Sequence, residues 1–137
     1  AVWTDADIHA FLDYLVANKA RAGDGGNFPG AVYTEAAIEV NKALTEGAEK
    51  RVDSCKNKHT KYLHPTFKIC NTIDHASGIG GFDTALGGHV TPKTEMMWLD
   101  LVSKHPKCEP YKNKGWAIWP KMKEILGSPP PQGLQVY

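Results

Sequence analysis

The stretch Glu49-Lys50-Arg51-Val52-Asp53-Ser54-Cys55-Lys56-Asn57-Lys58-His59-Thr60-Lys61-Tyr62-Leu63 decides the fold. Val52, Cys55, His59 and Tyr62 recur at spacings of 3, 4 and 3, one stripe of an α-helix. At about 100° per residue, Lys50, Ser54, Asn57 and Lys61 fall on the opposite face, with Asp53 and Lys58 at its margins. The pattern predicts a helix with an apolar side and a basic side. Lys50, Arg51, Lys56, Lys58, Lys61 and Lys68 face one acid, Asp53, in a chain whose net charge is only +1.

Working outward toward the N-terminus, Thr4 is placed to cap a first helix, with Asp5 and Asp7 in the turn where the helix dipole favours acids. Ile8, Phe11, Leu12, Leu15 and Val16 give its buried stripe, and Trp3 is expected beside its first turn. Gly23 to Gly30 reads as a linker without the GxxxxGK[ST] spacing that cradles phosphate. Thr34 is read as the cap of a second helix, with Ala37, Ile38, Val40, Ala43 and Leu44 inward and Gly47 as its stop. A short turn around Thr45 to Ala48 then makes the second and third helices a helix-turn-helix pair.

On the C-terminal side, Pro65 predicts that the basic helix stops or kinks near Leu63 or His64, because proline lacks the amide and its ring clashes with the preceding turn. A further segment is expected from Thr66, with Phe67, Ile69, Cys70 and Ile73 inward, ending at Ser77-Gly78. Five glycines between Gly78 and Gly88 mark a loop anchored by Phe82. Thr91, Pro92 and Glu95 signal the start of another helix running to about Lys104, with Met97, Trp98, Leu101 and Val102 buried. A last helix ends near Leu126, and Gly127 to Gly133 cannot continue a helix and reads as an extended or disordered tail.

A chain of 137 residues with 42% hydrophobic content can bury one sizeable core. No run approaches the roughly 20 apolar residues of a membrane span, and the first residues lack the pattern of a signal peptide. Three cysteines, Cys55, Cys70 and Cys108, are too few and too scattered for a disulfide framework, which favours a reducing, intracellular setting. Residues 1–49 hold three cations and eight acids, whereas residues 50–75 hold six cations and two acids. An acidic first part thus abuts a basic helix.

Several motifs in order carry a resemblance: Trp3-Thr4 opening an acidic helix, Tyr33-Thr34, Cys55-Lys56-Asn57-Lys58-His59 with Tyr62-Leu63, Ser77-Gly78-Ile79-Gly80, Trp98-Leu99-Asp100, His105-Pro106-Lys107 and Tyr111-Lys112-Asn113-Lys114-Gly115-Trp116. Together they resemble the Myb/SANT-like domain found in fungi and plants and related to the Myb-like proteins of Harbinger-type transposons. The resemblance spans roughly Trp3 to Leu126 and departs from the family at His59, where a core tryptophan is usual, and at Pro65. It implies an all-α fold: a three-helix unit over residues 1–76, a helical extension over 77–126 and a Pro-rich tail over 127–137. It also implies nuclear DNA binding through the third helix, in transcription regulation or as a transposon-derived protein.

On that reading Lys50, Arg51, Lys56 and Lys68 neutralise phosphates of double-stranded DNA, while Ser54, Asn57, Lys58 and Lys61 meet base edges in the major groove. Lys112 and Lys114 form a second small basic patch, for phosphate contact or as a solvated turn anchored by Trp116 and Trp119. The alternative function is a SANT-type protein-interaction module that recruits a partner through the acidic first and second helices. No cofactor is expected. Cys55, His59, His64, Cys70 and His75 crowd one region, but without a CxxC motif, and with Cys55 and His59 on the core stripe, no metal site is expected. The chain lacks GxSxG, HExxH and Walker lysine motifs, so no enzyme is expected.

Overall fold

The structure, a computed structural model, describes residues 2–23, 26–44 and 47–127. The expected tail beyond Gly127 and parts of the two expected turns, Asp24-Gly25 and Thr45-Glu46, lie outside the described residues. The fold is all-α: α1 (Asp5–Ala17), α2 (Gly30–Lys42), α3 (Val52–Asn57), α4 (His64–Asp74), α5 (Glu95–Lys104) and α6 (Trp119–Leu126). A π-helical segment, Lys58–Leu63, links α3 to α4, and 3-10 turns occupy Lys19–Arg21 and Pro106–Tyr111. Among the described residues there is no strand, only an isolated bridge between Asp83 and Gly87.

The described residues divide into two compact units, one formed by those up to 63 together with 121–127, the other by 64–120. The apolar stripe of α4, Phe67, Cys70 and Ile73, is buried in the second unit.

In the first unit α1 starts where the sequence indicates. The Thr4 hydroxyl accepts from the Asp7 amide and the Asp7 carboxylate accepts from the Thr4 amide, each at 3.1 Å, a complete capping box. Phe11, Leu12 and Leu15 are fully buried. Helix α2 starts four residues earlier than Thr34, at Gly30, and Thr34 is not its cap: its hydroxyl donates back to the Gly30 carbonyl at 3.2 Å. Burial explains the longer helix, since Val32, Tyr33, Ala36, Ala37 and Val40 form its inner stripe while Ile38 points outward. Phe28, Tyr33 and His59 meet in an aromatic cluster with centroids 5.6 to 6.2 Å apart. The buried His59 ring donates from Nε2 to the Gly26 carbonyl at 3.0 Å. Met122 and Ile125 of α6 are buried, and the Lys121 ammonium of α6 meets Asp13 of α1 at 2.7 Å.

Pro65 does not stop the helix: every residue from Val52 to Asp74 stays helical. Pro65 follows directly on the π-helical segment, whose wider i→i+5 turn takes up the missing amide and the misfit of the ring. An i→i+5 turn holds more residues than an α-turn, so each successive side chain is rotated back by roughly 20° relative to α-helical spacing. The consequence is a change of stripe. Leu63 joins Cys55 and His59 in the core, and Tyr62, expected inside, is 62% exposed; Val52 also lies largely outside.

The second unit buries Phe67, Cys70 and Ile73 of α4 together with Ile79, Phe82, Trp98, Cys108 and Trp119. Trp119 stacks on Phe67 at 5.4 Å and meets Phe82 edge-on at 5.1 Å. Helix α5 begins at Glu95 because residues 91–94 form a turn, closed by the Thr94 amide donating to the Thr91 carbonyl at 2.9 Å. Trp98 is its buried residue; Met97, expected inside, is exposed, and Leu101 and Val102 are half-buried. The glycine-rich loop is zipped to residues 111–116 by backbone bonds, Gly88 to Tyr111, Gly115 to Ala85 and Trp116 to Thr84. A Cβ at Gly115 would lie 1.9 Å from the Thr84 carbonyl oxygen, so only glycine permits this approach.

Candidate nucleic-acid interface

The outer side of α3 and the π-helical segment faces away from the Cys55, His59 and Leu63 stripe. Here Ser54, Asn57, Lys58 and Tyr62 line a cleft of about 300 Å³ whose remaining wall is Trp3. The Lys58 ammonium sits over both rings, 5.8 Å from the Trp3 centroid and 5.6 Å from that of Tyr62. Partial burial lowers the pKa of Lys58. Trp3 is held from below by Phe11, with ring centroids 5.4 Å apart, so the capped start of α1 positions one wall of the cleft.

The cleft brings together three of the residues expected at base edges, Ser54, Asn57 and Lys58. Lys61 is exposed one turn beyond Asn57. Lys56 is exposed but lies about 200° around the helix from both Ser54 and Lys58, on a different flank. Arg51 is exposed at the N-cap of α3. Among the described residues no acidic side chain pairs with Arg51, Lys56 or Lys61.

Lys50 departs from expectation entirely. It precedes α3, its side chain has no solvent exposure, and its ammonium meets the equally buried Asp7 carboxylate at 3.2 Å. Asn41 of α2 fixes this placement by gripping the Lys50 backbone on both sides, accepting from its amide at 2.7 Å and donating to its carbonyl at 2.8 Å. Lys50 is thus an internal counter-ion and not a phosphate contact. Burial alone pushes the Asp7 carboxyl up, but the Thr4 amide, the Lys50 ammonium and the Thr4 hydroxyl together hold it below the ordinary value.

The remaining expected cations, Lys68, Lys112 and Lys114, belong to the second unit. Lys68 and Lys114 are exposed. Lys112 is tied to Glu95 at 3.1 Å, and Asn113 holds the Val90 amide at 2.8 Å. That segment is a braced turn with Lys112 neutralised. Among the described residues no three His, Cys, Asp or Glu side chains converge on a point that would hold a metal ion, and no helix is long and apolar enough to cross a membrane.

Comparison of the chain with protein-family models, with curated proteins and with solved structures found no match in any of the three.

Trp3 and Tyr62 are the cleft residues that sequence reasoning missed. Trp3 carried a signal, an aromatic beside a cap, but spacing alone could not say that it reaches α3. α-Helical spacing places Tyr62 in the core, and the π turn breaks that spacing. The acids of the first part are also less available than their number suggests. Asp7, Asp13, Glu35 and Glu39 are each paired with a cation of the same unit.

Proposed function

We propose that this chain binds double-stranded DNA through the outer side of α3 and the π-helical segment, acting in the nucleus as a Myb/SANT-like DNA-binding domain of the helix-turn-helix type. Arg51, Lys56 and Lys61 neutralise phosphates, and Asn57, Ser54 and Lys58 supply the donors and acceptors that meet base edges. The observation that carries the reading is that one short helical segment bears both a polar cleft and three exposed cations, Arg51, Lys56 and Lys61, that have no acidic partner among the described residues. The alternative, recruitment of a basic protein partner through α1 and α2, is weakened by the internal pairing of their acids.

Titration of a labelled random-sequence duplex at increasing salt tests the proposal. Three to four phosphate contacts give a slope of log binding constant against log salt of roughly −3 to −4. A salt-independent response, or a basic peptide that binds while duplex does not, removes the DNA reading.

A further inference from the structure

The cleft holds more than a duplex reader needs. In an intact duplex the grooves offer base edges and phosphates, while the base faces are hidden in the stack. Yet this cleft has aromatic walls: Trp3 and Tyr62 each turn a ring face toward the same point, the Lys58 ammonium, and Tyr62 is 62% exposed. Ring faces open to a polar cleft are the platform on which unpaired bases stack. At about 300 Å³ the cleft sits at the small end of ligand-sized sites, room for one base rather than for a large ligand.

We infer that the Trp3, Ser54, Asn57, Lys58 and Tyr62 cleft takes one unpaired nucleobase of a DNA strand. The base stacks on Tyr62, the Asn57 amide and Ser54 hydroxyl meet its edge, and Lys58 moves from the ring faces to the flanking phosphate. Each part uses a group already at the cleft: an exposed ring, a side-chain amide that both donates and accepts, and a cation that sits over ring faces. The inference rests on the nucleic-acid reading above and adds to it the state of the base. Because drawing a base out of a duplex costs unstacking and unpairing energy, least for a mispaired or single-stranded base, the cleft favours single strands and mispairs over matched duplex.

The test uses the full chain and a thymine-rich single strand with one central 2-aminopurine, the same strand in a matched duplex, and the duplex with that base mispaired. Binding should quench 2-aminopurine fluorescence in the single strand and the mispaired duplex, and much less in the matched duplex. Tyr62→Ala should weaken single-strand binding by about 5- to 150-fold, while Tyr62→Phe, which keeps the ring, should retain it. Melting curves show whether each variant is folded, and quenching by the unsubstituted protein decides the question if Tyr62→Ala is not. Saturating binding without quenching, or Tyr62→Ala binding single strands at full strength, overturns the unpaired-base inference while salt-dependent duplex binding keeps the broader reading. Absence of salt-dependent binding to all three DNAs overturns both.

Discussion

The Lys50 ammonium lies 3.2 Å from Oδ2 of Asp7, and neither side chain has any solvent exposure. The pair joins the first turn of α1 to the residues just before α3, and Trp3 covers it, with its ring centroid 5.3 Å from the Lys50 nitrogen. Lys50→Met would leave a buried carboxylate without its partner, which costs about 3–5 kcal/mol out of a total stability of about 5–15. Replacing both residues, as Asp7→Leu with Lys50→Met, should recover much of that loss, because the desolvation of both charges is then avoided. Urea denaturation of the wild type, both single variants and the double variant checks this. Equal stability of Lys50→Met and wild type would show the pair to be idle.

Much of α1 was legible because its signals are local. The Thr4 cap, the early acids and the Phe11, Leu12, Leu15 stripe lie within a few residues of one another and agree. The start of α2 was not legible, since Gly30 and Pro29 carry linker signals and only the tertiary burial of Val32 and Tyr33 extends the helix over them. Lys50 shows a second kind of failure: charge was readable, but its burial depends on Asp7, 43 positions away. At Pro65 the sequence correctly signalled trouble for the helix, yet a π turn rather than a break resolves it, and that choice moved Tyr62 from the core to the cleft.

The exchange of Tyr62 for Leu63 can be measured directly. Leu63, 5% exposed, should cost about 2–5 kcal/mol on truncation to Ala. Tyr62→Ala should cost no more than about 1 kcal/mol, the scale of an exposed cation–π contact. In a uniform α-helix both side chains would flank the direction of Cys55 and His59 almost equally and cost similar amounts, so thermal or urea unfolding of the two variants reads out the register.

Acid sensitivity should centre on Glu35. The Arg21 guanidinium, at 2.6 Å, and the Tyr14 hydroxyl hold its carboxyl at about 2, against an ordinary value of 4.5. A depressed folded-state pKa means that the unfolded chain takes up the proton first. The stabilisation is therefore complete above about 4.5 and is lost as pH falls toward 2. Arg21→Gln removes the main cause. The gap in melting temperature between wild type and Arg21→Gln should be constant near neutrality and narrow between pH 4.5 and 2. A gap independent of pH would remove this role from the pair.

The cysteines should be inert in the folded protein. Burial pushes the Cys55 thiol up to about 11 and Cys70 to about 12, and Cys108 is raised as well. All three are buried and free. A thiol-specific chromogenic reagent at mildly alkaline pH should titrate almost none of them at once, and all three in denaturant. Prompt reaction of one cysteine under native conditions would mark a local opening around it.

The cations around the helical segment should separate by function, and DNA titration of single variants distinguishes them. Arg51 and Lys61 are exposed and without an acidic partner among the described residues, so Arg51→Gln and Lys61→Gln should each reduce the magnitude of the salt slope by about 0.9 and weaken different DNA sequences alike if their contacts are to phosphate. Asn57→Ala should behave differently. Asn57 lines the cleft, and on the proposed reading its amide meets a base edge, so the salt slope should stay constant while discrimination between a selected sequence and a scrambled one falls by about 1–3 kcal/mol. Lys112→Gln serves as the contrast, because the Glu95 carboxylate at 3.1 Å already neutralises that ammonium. A Lys112→Gln effect as large as that of Lys61→Gln would mean that overall positive charge, and not the face of α3 and its π turn, governs binding.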